Sequence, residues 1–150
     1  MYEITAKRIQ DEKARMRLRA TQMRDLIQPA KTVLPLTATF QEMMGMFLQY
    51  PVKYIYIVNT ENRLQGVIAL QDLTSALFDK HAEDNRRAVD FLRRDFLRIV
   101  TPGMSLDEAL RCFMEHKGER LPAVESESDP KLLGVVDKTS LLDAYFRLNR

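Results

Sequence analysis

The chain has 150 residues, of which 45% are hydrophobic and 29% are charged, and its formal net charge is +2. This composition is typical of a soluble globular protein and argues against extensive disorder. The small net charge gives no argument for nucleic-acid binding, and no apolar run approaches the roughly 20 residues of a membrane-spanning helix. Cys112 is the only cysteine, which excludes an internal disulfide and favours a cytosolic setting.

The beginning of the chain is basic. Residues 1–31 contain eight Lys or Arg side chains against four acids, and residues 3–20 predict a charged helix with a narrow apolar face. Two interpretations remain open: a solvated helix with ion pairs between successive turns, or a segment lying next to anionic lipid. Nucleic acid is the weaker alternative, because aromatic side chains are not interleaved with the basic ones.

A first unit of strands and helices follows. Thr39 and Glu42 have the spacing of a capping box and predict the start of a helix whose apolar residues recur every three or four positions. The run of β-formers at residues 54–58 predicts a buried strand. The expected elements are a strand, a helix, two strands and a helix, at residues 32–34, 40–48, 54–58, 64–68 and 70–78.

The unit then occurs a second time, after a polar connector and a predicted helix over residues 86–95. Thr39 and Ser105 are 66 positions apart, and the same shift superimposes the two amphipathic helices and the strands that follow them. Beyond the next turn the shift becomes 68, which superimposes Gly66 on Gly134. The expected elements of the second unit are at residues 98–100, 106–114, 120–124, 132–136 and 139–148.

This duplicated β-α-β-β-α unit resembles the CBS domain, and the resemblance covers about residues 23–146. It is carried by the Leu-Pro-Ala-Val run at 121–124, by Ile99-Val100-Thr101-Pro102-Gly103, and by the closing run Gly66-Val67-Ile68-Ala69-Leu70-Gln71-Asp72-Leu73. The resemblance implies a mixed α/β fold with two repeats packed about a pseudo-twofold axis. The expected organisation is a basic linker helix, a first repeat, a connector and a second repeat, at 1–22, 23–78, 79–90 and 91–150.

In this family the cleft between the paired repeats often binds AMP, ADP or ATP, and a carboxylate in the closing motif accepts hydrogen bonds from the ribose hydroxyls. Asp72 occupies that place, although Ala69 replaces the motif's hydroxyl residue. The resemblance implies that Thr101, Arg120 and Pro122 of the second repeat complete this site. The alternative for Asp72 is a helix-terminal acid favoured by capping or by the helix dipole.

A mirror-related site would use Val33, Tyr54 and Tyr56, with Ser140 in the place of the acid and Asp137 in the place of the hydroxyl. Tyr54 is a candidate for stacking on a nucleotide base, and strand packing is the alternative for both tyrosines. Neither repeat has both polar groups of the family motif, so we expect a one-sided site centred on Asp72. No cofactor is required by any feature of the sequence.

No catalytic or metal-binding constellation is apparent. His81 and His116 are far apart in sequence and lack neighbouring ligands at metal spacing. Cys112 has no partner histidine and predicts a buried structural thiol. We therefore expect no enzymatic activity and no metal site.

Residues 88–96 and 118–122 are similar to bacterial chloride-channel proteins of the ClC type that carry a C-terminal CBS pair. This resemblance implies a regulatory module on the cytoplasmic side of the inner membrane, attached to the transmembrane domain of the same parent chain. It also implies a homodimer held by CBS–CBS packing, with gating that responds to an adenine nucleotide. The alternatives are a soluble or enzyme-fused adenylate sensor and the cytosolic module of a magnesium transporter.

Overall fold

The computed structural model describes residues 8–9, 23–79, 85–95, 98–116 and 118–148. Residues 8–9 are helical, and the rest of the charged helix predicted over residues 3–20 lies outside the described residues. Residues 80–84 of the polar connector, which include His81, lie outside them as well. Within the described part of the chain, no helix is long and apolar enough to cross a membrane.

Two equivalent repeats of helices and strands build the fold, and the mixed α/β class predicted from the sequence is confirmed. The first repeat contains α1 (Met23–Leu26), β1 (Val33–Pro35), α2 (Phe40–Gln49), β2 (Tyr54–Val58), β3 (Leu64–Ala69) and α3 (Leu70–Leu77). The second contains α4 (Ala88–Phe91), α5 (Leu106–Glu115), β4 (Arg120–Val124), β5 (Leu132–Asp137) and α6 (Lys138–Leu148).

The equivalent helices α2 and α5 begin where the capping residues predict. Thr39 Oγ1 accepts from the Glu42 N–H at 3.1 Å, and a Glu42 carboxylate oxygen accepts from the Thr39 N–H at 3.2 Å. Ser105 Oγ accepts from the Glu108 N–H at 3.1 Å. These bonds satisfy N–H groups that have no partner within the helix, and so they define where each helix begins.

The two sheets differ in their edge strand. In the first repeat β1 runs parallel to β2, which is antiparallel to β3. In the second repeat β4 and β5 form an antiparallel pair, and the strand expected at 98–100 is reduced to a parallel bridge between Val100 and Ala123. Val100 still exchanges backbone hydrogen bonds with this sheet, through Pro122 and Val124 at 3.0 and 2.9 Å.

The segment at the start of each repeat packs on the other repeat. Gln28 exchanges two backbone hydrogen bonds of 2.8 Å with Val135 of β5, and Arg93 exchanges equivalent bonds of 2.9 and 3.1 Å with Val67 of β3. Met23 is accordingly buried in the core of the second repeat. The helix predicted over residues 86–95 is therefore wrong beyond α4, because the backbone of Arg93 is extended and bonded to β3.

Three apolar clusters stabilise the molecule. One lies inside each repeat, and the third joins the repeats through side chains of both sheets. The tips of the two hairpins also bond, since Arg63 contacts Asp129 at 2.9 Å and the Leu132 N–H donates to the Asn62 carbonyl at 2.9 Å. The third cluster consists of Tyr56, Leu64, Val67, Val124, Leu132 and Val135.

Candidate functional site

A small open cleft lies where the strands of the two repeats meet. Its volume is about 240 Å³, counting the part that is open to solvent. One wall comes from the first repeat and the other from the second, so that neither repeat forms the cleft alone. The lining residues are Tyr54, Tyr56, Val67, Arg98, His116, Arg120 and Pro122.

The duplicated strands place equivalent residues in this cleft. Successive side chains of a strand point to opposite faces, so Tyr54 and Tyr56 share one face of β2, while Ile55 between them is buried in the core of the first repeat. In β4 the equivalent residues Arg120 and Pro122 share the cleft face. The 66-residue shift thus superimposes Tyr54 on Arg120 and Tyr56 on Pro122, which gives an aromatic wall and a basic wall.

Two arginines at the cleft are held by acids of their own repeat. Arg120 Nε lies 2.9 Å from an Asp137 carboxylate oxygen, and Arg98 Nε lies 2.9 Å from Glu115. About half of each arginine side chain remains exposed. Each guanidinium has five N–H donors, and these contacts use Nε, so donors remain for a ligand. Burial raises the pKa of Tyr56 to about 12, so this phenol stays protonated at neutral pH.

His116, the C-cap of α5, lines the cleft and is 9% exposed. Its ring centroid lies 6.3 Å from that of Tyr54 and 6.5 Å from that of Phe113. Burial lowers the pKa of His116, a hydrogen bond to the backbone at Arg120 opposes this, and the charge of Lys138 lowers it further. A side chain at Gly118 would collide with the imidazole, so glycine leaves room for the ring.

Asp72 lies in the first turn of α3, and both of its carboxylate oxygens accept hydrogen bonds from Arg93 at 2.7 Å. This hydrogen bonding with Asp72 raises the pKa of Arg93. The backbone of Arg93 also exchanges hydrogen bonds with Val67, a residue that lines the cleft. A carboxylate has about four acceptor sites, and Arg93 uses two of them.

The structure brings together only some of the predicted site residues. Tyr54, Tyr56, Arg120 and Pro122, which were predicted to belong to two candidate sites, line one cleft. Asp72 is not among the residues that line this cleft, and both of its carboxylate oxygens bind Arg93. The sequence did not predict this role of Arg93.

The remaining predicted residues lie elsewhere. Thr101 is in the turn before α5, where its carbonyl accepts from the Met104 N–H at 3.1 Å. Val33 packs against the cluster that joins the repeats, and Ser140 is in the first turn of α6. The nucleotide contacts of all these residues stay predictions.

Sequence reasoning also missed His116 and Arg98 as cleft residues. Their places depend on how the end of α5 and the segment before Val100 fold onto β4, and no local pattern encodes that. Among the residues that the structure describes, no group of three His, Cys, Asp or Glu side chains could hold a metal ion.

Comparison with known proteins identifies the fold and the family. The family model described as CBS domain matches residues 23–79 and 88–147. Among curated proteins, the chain is 30% identical over 120 residues to an uncharacterized protein of Methanocaldococcus jannaschii and 29% identical over 111 residues to inosine-5'-monophosphate dehydrogenase of Aquifex aeolicus. The matches cover 80% and 74% of this chain, but only 41% and 21% of the two relatives.

Solved structures with the same fold include a CBS domain pair/ACT domain protein of Thermotoga maritima, at a TM-score of 0.69 and 21% identity, covering 84% of this chain and 97% of that one. The cytosolic domain of the Mg²⁺ channel MgtE in complex with ATP gives a TM-score of 0.67 and 23% identity, covering 87% and 51%. These likenesses establish the fold. The family model matches two successive segments that together make up most of the sequence. The chain therefore belongs to the CBS domain family and carries a tandem CBS pair.

Proposed function

We propose that this CBS pair is a non-catalytic regulatory module that binds an adenosine phosphate in the cleft between its repeats. The observation that carries the proposal is the pairing of an aromatic wall, Tyr54 and Tyr56, with a basic wall that contains Arg98 and Arg120. A nucleotide has one flat apolar end and one anionic end, and this cleft offers a complementary surface to each.

Each wall has a chemical role in the proposal. The guanidinium groups of Arg98 and Arg120 have donors left after their carboxylate contacts, and planar guanidinium groups bind phosphate oxygens well. Tyr54 presents a ring on which a base can stack. Because Arg120 and Tyr54 are equivalent residues on opposite walls, a ligand between them contacts both repeats and is sensitive to their relative position.

Asp72 is proposed to bind the ribose hydroxyls through the two acceptor sites that Arg93 leaves available. Arg93 fixes the plane of the carboxylate, since both of its bonds to Asp72 are 2.7 Å long. In this arrangement Arg93 is a positioning residue, and Asp72 contacts the ligand.

Titration calorimetry with AMP, ADP and ATP tests the proposal. We expect at least one nucleotide to bind with a dissociation constant on the order of micromolar. Arg120→Gln and Asp72→Ala should each weaken binding at least about tenfold, equivalent to about 1.4 kcal/mol. Arg147→Gln is the matched control, because Arg147 is an exposed arginine of α6 that pairs with Asp143. Absence of heat with all three nucleotides would refute the proposal.

We also propose that the module forms a homodimer through its helices. The two repeats expose apolar side chains at equivalent positions: Leu48 and Met114 are 82% and 80% exposed, and Phe78 and Phe146 are 83% and 65% exposed. A second copy can cover both members of each pair at once. Sedimentation should show a dimer at tens of micromolar that is weakened by Leu48→Glu with Met114→Glu; a monomer throughout that range would contradict this part.

The parent protein is part of the same proposal. The similarity of residues 88–96 and 118–122 to ClC-type proteins supports a cytoplasmic module of a chloride channel or transporter. The fold is shared with magnesium-transporter modules, including the CBS pair domain of a putative Mg²⁺ transporter from Shewanella oneidensis at a TM-score of 0.69 and 16% identity. The reading frame that encodes residues 1–150 discriminates these parent proteins. Membrane-spanning helices of a chloride channel in the same frame would support the ClC-type parent, and an enzyme domain would support a fused adenylate sensor.

A further inference from the structure

We propose that His116 takes up a proton when a phosphate group enters the cleft, so that phosphorylated ligands bind more tightly at acidic pH. This inference rests on the proposed function, because it concerns the same cleft. Beyond the proposed function, it assigns a role to His116, which lies outside the predicted nucleotide contacts, and it makes binding depend on pH.

His116 lies in the same cleft as the two arginines. The imidazole lines the cleft together with Arg98 and Arg120, yet only 9% of the residue is exposed. The rings of Tyr54 and Phe113 pack on it, and the bare backbone of Gly118 gives it space. An anion held by the two arginines therefore lies in the same cleft as the imidazole.

The charge around the imidazole influences its protonation. The described charged and titratable groups that face it are cations and phenols: Arg98 before Val100, Arg120 on β4, Lys138 at the start of α6, and Tyr54 and Tyr56 on β2. The nearby acids are already engaged, since Glu115 holds Arg98 and Asp137 holds Arg120.

A protonated imidazole is therefore disfavoured in the free protein, mainly by burial and also by the charge of Lys138. Consistent with this, the pKa of His116 is lowered mainly by burial.

A bound phosphate group would favour the protonated form of the imidazole. A phosphate group brings close to two negative charges among these cations, and an opposite charge within about 4–6 Å of an imidazole favours its protonated form. Protonation also gives His116 a second N–H donor for a phosphate oxygen. By linkage, each unit by which the ligand raises the histidine pKa strengthens binding up to tenfold at pH values below both pKa values.

Nuclear magnetic resonance of the imidazole tests this directly. The sequence has only two histidines, so a His116→Asn variant identifies the His116 signal. The pKa of His116 should lie below 6.5 in the free protein and rise by about one unit or more when the protein is saturated with ATP. In calorimetry at pH 6 and pH 8, the wild type should gain at least about threefold more affinity on acidification than His116→Asn, which carries no titratable ring.

Inorganic tripolyphosphate is the second probe and separates this inference from the proposed function. If no nucleotide binds but tripolyphosphate raises the pKa of His116, the nucleotide proposal fails and the proton linkage stands. If ATP binds and the pKa of His116 stays unchanged at saturation, the linkage is overturned while the nucleotide proposal stands. If neither anion moves the pKa, the linkage is overturned as well.

Discussion

The two repeats share a scaffold but differ on the surface that they turn toward each other. Residues that face each repeat's own core are apolar and buried in both copies, as in the equivalent pairs Ile55 and Leu121 or Phe47 and Phe113. On the cleft face, by contrast, the equivalent residues differ, because Tyr54 of β2 corresponds to Arg120 of β4. The fold therefore requires apolar side chains at the core positions of both repeats, whereas the equivalent cleft positions can carry different side chains.

A second difference concerns what completes each core. The segment around Gln28 crosses onto the second repeat and the segment around Arg93 crosses onto the first. The two halves are thereby linked by exchanged segments as well as by the shared apolar cluster between their sheets. We therefore expect the pair to unfold as one cooperative unit, and the following substitutions test how equivalent the repeats are.

The largest expected effect is the loss of a buried ring. Phe113→Ala should lower the free energy of unfolding by about 3–5 kcal/mol, because Phe113 is 1% exposed and its removal leaves a cavity. Phe47→Ala should cost less within that range, because the equivalent ring is 8% exposed. Urea unfolding followed by circular dichroism measures both. Two separated transitions in either variant would show that the repeats are independent.

The next effect concerns the glycines at which the exchanged segments cross the sheets. Gly134→Ala and Gly66→Ala should each destabilise by about 1–3 kcal/mol, because a methyl group would meet the backbone at Gln28 in one case and the Arg93 carbonyl at 2.6 Å in the other. Gly134 also has a φ of +157°.

Gly45→Ala is the control for these two substitutions. It lies in α2 with nothing within 4 Å of an added Cβ, and alanine should stabilise the helix by about 0.5–1 kcal/mol. Equal effects at all three glycines in urea unfolding would contradict the crossing geometry.

The two helix caps give a smaller contrast. Thr39→Ala and Ser105→Ala should each cost about 1 kcal/mol, because each hydroxyl accepts from a backbone N–H in the first turn. Thr39→Ala should cost more, since it removes one bond of a reciprocal capping box and so weakens the remaining bond from the Thr39 N–H to Glu42. Thermal unfolding of both variants beside Thr39→Ser and Ser105→Thr measures the difference, and a larger loss at Ser105 would reverse the expected order.

The smallest effect on stability is expected at the Asp72–Arg93 pair, although it matters for the cleft. The two side chains are 30% and 37% exposed, so a double-mutant cycle of Asp72→Asn and Arg93→Gln should give a coupling energy below about 1 kcal/mol. The same variants should weaken nucleotide binding far more than they weaken folding. A coupling energy of several kcal/mol would mean that the pair is structural.

The sequence predicted the fold better than the site, for a physical reason. Capping residues and apolar periodicity are local, so the starts of α2 and α5 and the two hairpins were predictable from residues such as Thr39 and Ser105. The cleft depends on distant segments that meet only in the folded chain. Arg93 binds Asp72, and the ring of His116 packs near that of Tyr54. No local pattern in the sequence predicts either contact.

Nucleotide titration of the wild type beside Arg120→Gln tests the central claim most directly. We predict that one of AMP, ADP or ATP binds the wild type in the micromolar range and that the substitution weakens binding at least about tenfold. The unfolding midpoint should change by no more than it does for a surface substitution. Equal binding by the two proteins, or no binding by either, would contradict the assignment of the cleft as the regulatory site.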